Sequence, residues 1–297
     1  SGQIVVAGAG ALTNLTVSPN TAVVNAGETQ QFTVTGEDQY GNPVADLGTI
    51  TWSVQGEIGT IDEDGLFTGG KNGTGTVTAA SNAGDRPTDA SGPIEVTGDA
   101  GLERLTVSPG TAEVAAGQTQ RFTATGKDEY GNPAADLGTI TWSVQGDIGS
   151  IDETGLFTGG KNGTGTVTAA SDAGSGPSDV SGPIAVTGSA ALAELTISPD
   201  TATVNAGETR QFTVAGMDQY GNPVADLGTI TWSVQGDIGT IDGSGLFTAE
   251  KTGTGTVTAA SDAGGQPTAT SGQIVVAGAG ALANLTISPD TAALDAG

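Results

Sequence analysis

Carboxylate and amide side chains gather in the turns of this sequence, and oxygen ligands from loops are the donors that Ca²⁺ prefers. The spacing of these residues does not match an EF-hand loop, and turn formation with solvated charge is the alternative interpretation. A structural Ca²⁺ is therefore the one cofactor that the sequence suggests. The candidate metal ligands are Asp38, Asn42, Asp46, Asp62, Asp64 and Asp99.

Asn-x-Thr sequons are a second kind of candidate site, because they can accept an N-linked glycan. Asn72 and Asn162 occupy the same polar turn, whereas Thr252 replaces the asparagine at the third equivalent position. The turn sites are the preferred pair if the source cell glycosylates. The candidate glycosylation sites are Asn14, Asn72, Asn162 and Asn284.

Residues for catalysis are missing from the sequence. It contains no histidine and no cysteine, which removes the usual general base, the commonest metal ligand, disulfides and thiolate chemistry. No Ser/His/Asp set and no phosphate-binding loop is present. Lys71, Lys161 and Lys251 recur in phase, and we interpret them as surface lysines. The sequence predicts that the protein is not an enzyme.

The charge balance excludes another class of partner. The chain has 33 acidic and 8 basic residues and a formal charge of −25. Nucleic acid phosphates require Lys and Arg, so no nucleic-acid partner is expected. No apolar run reaches the ~18 residues of a membrane span. The charge is spread along the chain and favours solubility and cation binding.

One stretch recurs without change at a period of 90 residues. It defines the repeated unit in which the candidate residues above lie. Within it Ile50, Trp52 and Val54 alternate with hydroxyl residues, a period of two that predicts a half-buried strand. Each tryptophan is expected at the centre of a small β-sandwich core. The three copies are residues 45–56, 135–146 and 225–236.

Short alternating segments with turn residues between them surround the tryptophan strand. Glycine is abundant, at 50 of 297 residues, and aromatic residues are 4%, which fits short strands and many turns. In the first repeat we predict strands at 12–17, 21–24, 28–37, 50–54, 58–62, 66–67, 75–80 and 94–96, and a polar loop at 82–90. The predicted core is Leu15, Val17, Phe32, Val34, Ile50, Trp52, Val54, Ile58, Ile61, Leu66, Phe67, Val77, Ala79, Ile94 and Val96.

Several motifs in this order resemble the bacterial immunoglobulin-like domains of group 2, and the turn at 38–43 also resembles the invasin-like relatives. The motifs are Leu15-Thr16-Val17-Ser18-Pro19, Ala26-Gly27-Glu28-Thr29-Gln30-Gln31-Phe32, Ile50-Thr51-Trp52-Ser53, Gly65-Leu66-Phe67-Thr68 and Gly73-Thr74-Gly75-Thr76-Val77-Thr78-Ala79. The resemblance implies an all-β fold of tandem Greek-key β-sandwiches. It also implies a place outside the cell, and it brings no catalytic residue.

The repeat period predicts five segments. Residues 1–10 are the last strand of a preceding repeat with its joint, and 281–297 are the first strands of a following one. Between them lie Ig-like repeats at 11–100, 101–190 and 191–280. The short joints favour an elongated, semi-rigid rod, in which each end strand is completed by its own neighbour or by another copy.

The expected function is that of an extracellular or cell-surface spacer. It would be the stalk of an adhesin or the subunit of a surface filament, like a pilus or an S-layer. Its partners would be neighbouring repeats of a long chain or other copies, with any host or cell-surface ligand bound by parts outside this sequence. The alternative is a glycan- or receptor-binding module that uses the variable loops at 82–90, 172–180 and 262–270.

Overall fold

The structure, a computed structural model, describes residues 10–278, and every regular element in that range is a β-strand. The described residues thus include no helix that could cross a membrane. The strands predicted at the two chain ends and the sequon at Asn284 lie outside the described residues.

Two compact units divide the chain. The first holds the described residues up to Ala112 together with Gln120–Phe157 and Thr164–Ile184. The second holds Glu113–Thr119, Thr158–Gly163 and the described residues from Ala185 onward. The middle repeat therefore contributes to both units, and the repeat boundaries drawn from the sequence stay a prediction.

The first repeat supplies ten short strands, and alternating burial along them follows from the period-two pattern of the sequence. They are β1 (Asn14–Ser18), β2 (Ala22–Asn25), β3 (Thr29–Gln31), β4 (Thr33–Glu37), β5 (Ile50–Gln55), β6 (Gly59–Ile61), β7 (Leu66–Gly69), β8 (Gly73–Ser81), β9 (Thr88–Ala90) and β10 (Ile94–Thr97).

The next two repeats follow the same pattern. The middle repeat has β11 (Arg104–Ser108), β12 (Ala112–Ala115), β13 (Thr119–Arg121), β14 (Thr123–Lys127), β15 (Ile140–Gln145), β16 (Gly149–Ile151), β17 (Leu156–Gly159), β18 (Gly163–Ser171), β19 (Ser178–Val180) and β20 (Ile184–Thr187). The third has β21 (Leu192–Ser198), β22 (Ala202–Asn205), β23 (Thr209–Gln211), β24 (Thr213–Asp218), β25 (Pro223–Val224), β26 (Ile230–Gln235), β27 (Gly239–Ile241), β28 (Leu246–Ala249), β29 (Gly253–Ser261), β30 (Thr268–Thr270) and β31 (Ile274–Ala277).

Three β-sheets form the first sandwich. β1 pairs antiparallel with β4 in the first sheet, and β3, β7 and β6 form the second sheet. The third sheet has the strand order β2-β10-β8-β5, in which β2 and β10 are parallel. The third repeat shows the same order, with β22 parallel to β31 and β29 beside β26. The predicted all-β fold of tandem Ig-like sandwiches is confirmed.

The core of the first repeat centres on two phenylalanines. Phe32 and Phe67 are fully buried and meet edge to face, with ring centroids 6.3 Å apart. Trp52 is only partly buried and packs against this cluster, with its indole close to Gly65 at the turn before β7. The prediction that the tryptophan marks the core centre is therefore wrong. Leu66, also predicted in the core, is 36% exposed because β7 turns its neighbour Phe67 inward.

Two predicted elements differ from the structure. The long strand at 28–37 is interrupted at Phe32, whose N–H bonds to Gly65 O at 2.8 Å, so β3 and β4 belong to different sheets. The predicted loop at 82–90 ends in the strand β9, which pairs with β8. Ser91 separates β9 from β10, and its hydroxyl accepts a 3.0 Å hydrogen bond from Val77 N. β9 and β10 consequently extend along β8 as one interrupted strand.

Candidate functional site: the joints between repeats

A buried aspartate organises the turn that follows β4 and its equivalents. Asp38 is 2% exposed. Its Oδ1 accepts hydrogen bonds from Tyr40 N and Asn42 N, both at 2.9 Å, and its Oδ2 accepts from Gly10 N at 2.7 Å and Asn42 Nδ2 at 3.0 Å. One carboxylate therefore closes the turn and ties it to the chain that enters the repeat.

The same arrangement recurs at Asp128 and Asp218. Oδ2 of Asp128 accepts from Ala100 N at 3.1 Å, and Oδ2 of Asp218 accepts from Ala190 N at 2.7 Å. Both donors belong to the segment that joins one repeat to the next. The aspartate thus binds each described joint to the repeat that follows it.

The asparagine four residues later reaches the preceding repeat. Asn132 is 3% exposed, and its Nδ2 donates to Gly70 O and to Asp128 Oδ2, each at 2.9 Å. Its Oδ1 accepts from Asn72 N at 2.8 Å. Because both amide hydrogens and the amide oxygen have partners, the orientation of the side chain is determined by the network. We call Asp128, Asn132, Gly70 and Asn72 the first clamp.

A second clamp at the next joint has matching geometry. Asn222 Nδ2 donates to Gly160 O at 2.9 Å and to Asp218 Oδ2 at 3.0 Å. Asn222 Oδ1 accepts from Asn162 N at 2.8 Å. All residues of the first clamp lie in the first compact unit, and all residues of the second clamp lie in the second unit. Each joint is therefore described within one unit.

A tyrosine covers the first clamp. Tyr130 is 36% exposed, whereas its equivalent Tyr40 in the first repeat is 79% exposed. Tyr130 lies over Gly70, close enough that a Cβ added to the glycine would be 3.3 Å from Tyr130 Cδ1. The aromatic ring thereby shields the hydrogen bonds of Asn132 from water, which strengthens them.

The joint segment is fastened at one more point in the first unit. Asp99 Oδ2 accepts from Ala135 N at 3.0 Å, and its Oδ1 accepts from Gly101 N at 3.0 Å. Only a short connection links the flanking strands, since β10 ends at Thr97 and β11 begins at Arg104. A short connection with several hydrogen bonds leaves little freedom for the joint.

The hydrogen bonds also decide how the aspartates titrate. The side-chain amide of Asn42, with the N–H groups of Gly10, Asn42 and Tyr40, holds the pKa of Asp38 well below its usual range. Burial by itself raises the pKa of Asp128 and Asp218. The N–H donors outweigh burial, so both pKa values lie below the ordinary value.

Asp46 lies in one turn, and Asp62 and Asp64 lie together in another. Asp46 Oδ1 accepts from Gly48 N at 3.0 Å, and Asp62 Oδ1 accepts from Asp64 N at 3.0 Å and Leu66 N at 2.8 Å. Over residues 10–278 no three acidic side chains come together in a group that could hold a metal ion. Asp38 and Asn42 are in contact through their side chains, whereas Asp64 meets Asp62 through its backbone N–H. Calcium binding stays a prediction from the sequence.

The candidate glycosylation sites lie at exposed positions where they are described. Asn14 begins β1, and Asn72 and Asn162 lie at the turns before β8 and β18. At the latter two positions the backbone N–H belongs to a clamp while the side chain is exposed. Whether any of them carries a glycan stays a prediction.

The variable loops are tied to the repeat that carries them. Asn82 Oδ1 accepts from Thr49 N at 2.8 Å, and Asp85 N donates to Leu12 O at 3.0 Å. Gly84 has φ +53° and lies directly over the Leu12 backbone, where a side chain would collide. The first half of the loop is therefore held by backbone contacts, and the second half is β9.

The in-phase lysines are exposed and face acidic neighbours. Lys71 Nζ lies 3.8 Å from Glu57 Oε2, and Lys251 Nζ lies 2.5 Å from Asp237 Oδ2. Ion pairs this exposed contribute little to stability. The interpretation of these two residues as surface lysines is confirmed.

The residues that sequence reasoning missed are Asn132, Asn222 and the glycines they contact. A signal exists in hindsight, because Gly-Lys-Asn occurs at 70–72 and at 160–162, whereas 250–252 is Glu-Lys-Thr. The sequence predicts a turn at 38–43, but the pairing of the equivalent asparagines, Asn132 and Asn222, with the preceding repeat has no local signature.

Tandem sandwiches with short, hydrogen-bonded joints define a tandem immunoglobulin-like repeat protein. The family model for the bacterial Ig-like domain (group 2) matches residues 11–90, 102–180 and 191–271. The chain belongs to this family.

Among curated proteins, "Ice-binding protein 1" of Shewanella frigidimarina is 28% identical over 256 residues. The match covers 85% of this chain but 28% of that relative's length. The ice binding in its name is a property of that protein.

Three solved structures illustrate the similarity of fold. Mouse cadherin-23 EC22-24 is 14% identical, with a TM-score of 0.42 over 90% of this chain and 99% of that one. Domains 1-6 of the surface layer protein SbsC are 17% identical, with a TM-score of 0.32 over 94% and 42%. The Escherichia coli adhesin FdeC is 22% identical, with a TM-score of 0.31 over 91% and 99%.

Proposed function

We propose that this chain is a non-catalytic spacer of an extracellular or cell-surface protein, in which hydrogen-bonded clamps hold successive Ig-like repeats in one orientation. The observation that carries the proposal is the recurrence of the same clamp at both described joints. Its partners are the neighbouring repeats of the same chain. The stalk of an adhesin and the subunit of a filament are the two settings that use such a spacer.

The chemistry of the clamp supports a mechanical role. Asn132 and Asn222 each make three hydrogen bonds and are buried. Leaving a buried amide or carbonyl without a partner is unfavourable. Bending at the joint would break several of these bonds together, so each joint resists bending in more than one direction.

The extracellular placement rests on the family and on composition. Bacterial Ig-like repeats and a charge of −25 suit a soluble surface, since strong net charge keeps chains apart. Any ligand-binding region would lie outside this sequence, as the relative named for ice binding is much longer than the matched part. The alternative of glycan or receptor binding rests on sequence differences among the loops at 82–90, 172–180 and 262–270.

Paired spin labels test the proposed stiffness. The chain has no cysteine, so Thr16→Cys and Thr106→Cys, at equivalent exposed positions of β1 and β11, give two unique labels. We expect one narrow distance peak from electron spin resonance. Adding Asn132→Ala should broaden it, whereas Asn42→Ala, the equivalent exposed position in the first repeat, should not. A broad peak in the parent chain would overturn the spacer proposal.

A further inference from the structure

Gly70 and Gly160 lie in the turns before β8 and β18, at the end of each sandwich that meets the following repeat. We call this place the repeat end, and both glycines are buried there. The carbonyl oxygens of Gly70 and Gly160 accept hydrogen bonds from Asn132 Nδ2 and Asn222 Nδ2. The preceding repeat thus contributes backbone groups alone to these hydrogen bonds.

Little space exists for a side chain at this place. A Cβ on Gly70 would lie 3.3 Å from Tyr130 Cδ1 and 3.4 Å from Gly59 Cα. The first distance is tighter than ordinary van der Waals contact, so the tyrosine would have to move. A longer side chain would have to pass the edge of this ring to enter the cleft that Gly70 lines with Thr60 and Lys71, so the tyrosine that covers the clamp would be displaced.

The third repeat carries such a side chain at the equivalent position. Glu250 is exposed, and its Oε1 accepts a 3.2 Å hydrogen bond from Thr240 Oγ1. The backbone is nevertheless the same, because Glu250 N donates to Ile238 O at 2.9 Å just as Gly70 N donates to Ile58 O at 2.8 Å. The repeat ends therefore differ in side chain and not in path.

We propose that the residue at position 70, 160 or 250 determines which repeat ends can be clamped, so that an end with glycine accepts the Tyr-Gly-Asn turn of another repeat and the end with Glu250 does not. The proposal rests on the clamp described above as the basis of the spacer function. The repeats of this chain then have two kinds of repeat end, one with glycine and one with glutamate. A repeat placed after the Glu250 end is held by its linker without this clamp.

The labelled 297-residue chain tests the proposal with Gly70→Glu, which transfers the third repeat's residue into the first joint. The third repeat shows that the fold accepts glutamate at this place. We expect loss of the narrow distance peak, as with Asn132→Ala. Lys71→Glu is the control, since it adds a carboxylate at the adjacent exposed position and should leave the peak narrow. Gly70→Gln separates bulk from charge and should also broaden the peak.

The outcomes distinguish this proposal from the spacer proposal. If Asn132→Ala broadens the peak and Gly70→Glu does not, the clamp stands and the selective role of the glycine is overturned. If Lys71→Glu broadens the peak as much as Gly70→Glu, general repulsion at the joint explains the result and the proposal is again overturned. If neither Asn132→Ala nor Gly70→Glu has an effect, the clamp itself fails.

Discussion

Nδ2 of Asn132 lies 2.9 Å from the carbonyl oxygen of Gly70, although the two residues are 62 positions apart in sequence. The contact joins the turn after β14 to the turn before β8. Both residues are buried, so the hydrogen bond forms part of a packed interface between two sandwiches.

Asn132→Ala should destabilise the first joint. The change leaves Gly70 O and Asn72 N without their partner, and unsatisfied buried groups cost about 1–3 kcal/mol. Urea unfolding followed by tryptophan fluorescence measures the loss. Asn42→Ala removes the equivalent exposed side chain and should cost less. An equal loss in the two variants would contradict the role assigned to the joint.

Acid should loosen the joints only well below neutral pH. The pKa values of Asp128 and Asp218 are lowered in the folded state, so the unfolded state binds protons first as the pH falls. Their stabilising contribution is complete above the ordinary value of about 4 and is lost as the pH falls through the lower, folded values. The label distances should therefore be constant from pH 7 to about 5 and broaden below about 4. Asp128→Asn should broaden the peak at neutral pH and flatten its pH dependence.

Phe67→Ala should destabilise the first repeat more than any change at its exposed neighbour. The ring is fully buried against Phe32, and removing a buried phenylalanine costs about 3–5 kcal/mol. Leu66→Ala, next to it in β7 and pointing outward, is the matched control. Thermal unfolding by calorimetry should show one repeat melting earlier. Similar melting of the two variants would mean that the core is placed wrongly.

Asp89 accepts a hydrogen bond from a strand N–H, and the third repeat has no carboxylate at the equivalent position. Its Oδ2 accepts a 2.7 Å hydrogen bond from Val17 N, and Asp179 does the same for Val107 N, but Ala269 stands at the third position. Asp89→Ala should cost about 1–3 kcal/mol, while Ala269→Asp should stabilise the third repeat. Chemical unfolding of both variants checks this, and a destabilising Ala269→Asp would count against it.

Calcium, expected from the sequence, can be tested directly. A cation that binds only the folded chain raises its melting temperature. Melting with added Ca²⁺ and with a chelator, repeated on Asp62→Asn and Asp99→Asn, would show whether and where it binds. No chelator effect would remove calcium from the account of these turns.

Local pattern was enough to predict much of the fold. The alternation of Ile50, Trp52 and Val54 places β5 correctly, because a half-buried strand leaves a period of two. Leu66 and Phe67 are adjacent apolar residues, and pattern alone does not say which faces inward. The break at Phe32 depends on a hydrogen bond to Gly65, a residue of another turn.

The joint could not be predicted in the same way. The sequence predicts Asp38 and Asn42 as oxygen ligands because their residue types suit Ca²⁺. The structure shows both carboxylate oxygens of Asp38 accepting N–H bonds from the turn and the linker, and Asn42 donating to Asp38 through Nδ2. Asn132 depends on a partner 62 residues away, and such a contact leaves a trace only in the comparison of Gly70 with Glu250.

The two repeats contribute different groups to the clamp. The later repeat contributes the aspartate and asparagine side chains, and the earlier repeat contributes backbone groups. A duplicated block therefore brings its own attachment with it and requires only a glycine at the end of the repeat before it. Substitutions in the earlier repeat that keep this glycine and the backbone path retain the two groups that the clamp uses. We therefore expect that a repeat can be added to or removed from such an array while the remaining joints keep the same hydrogen bonds.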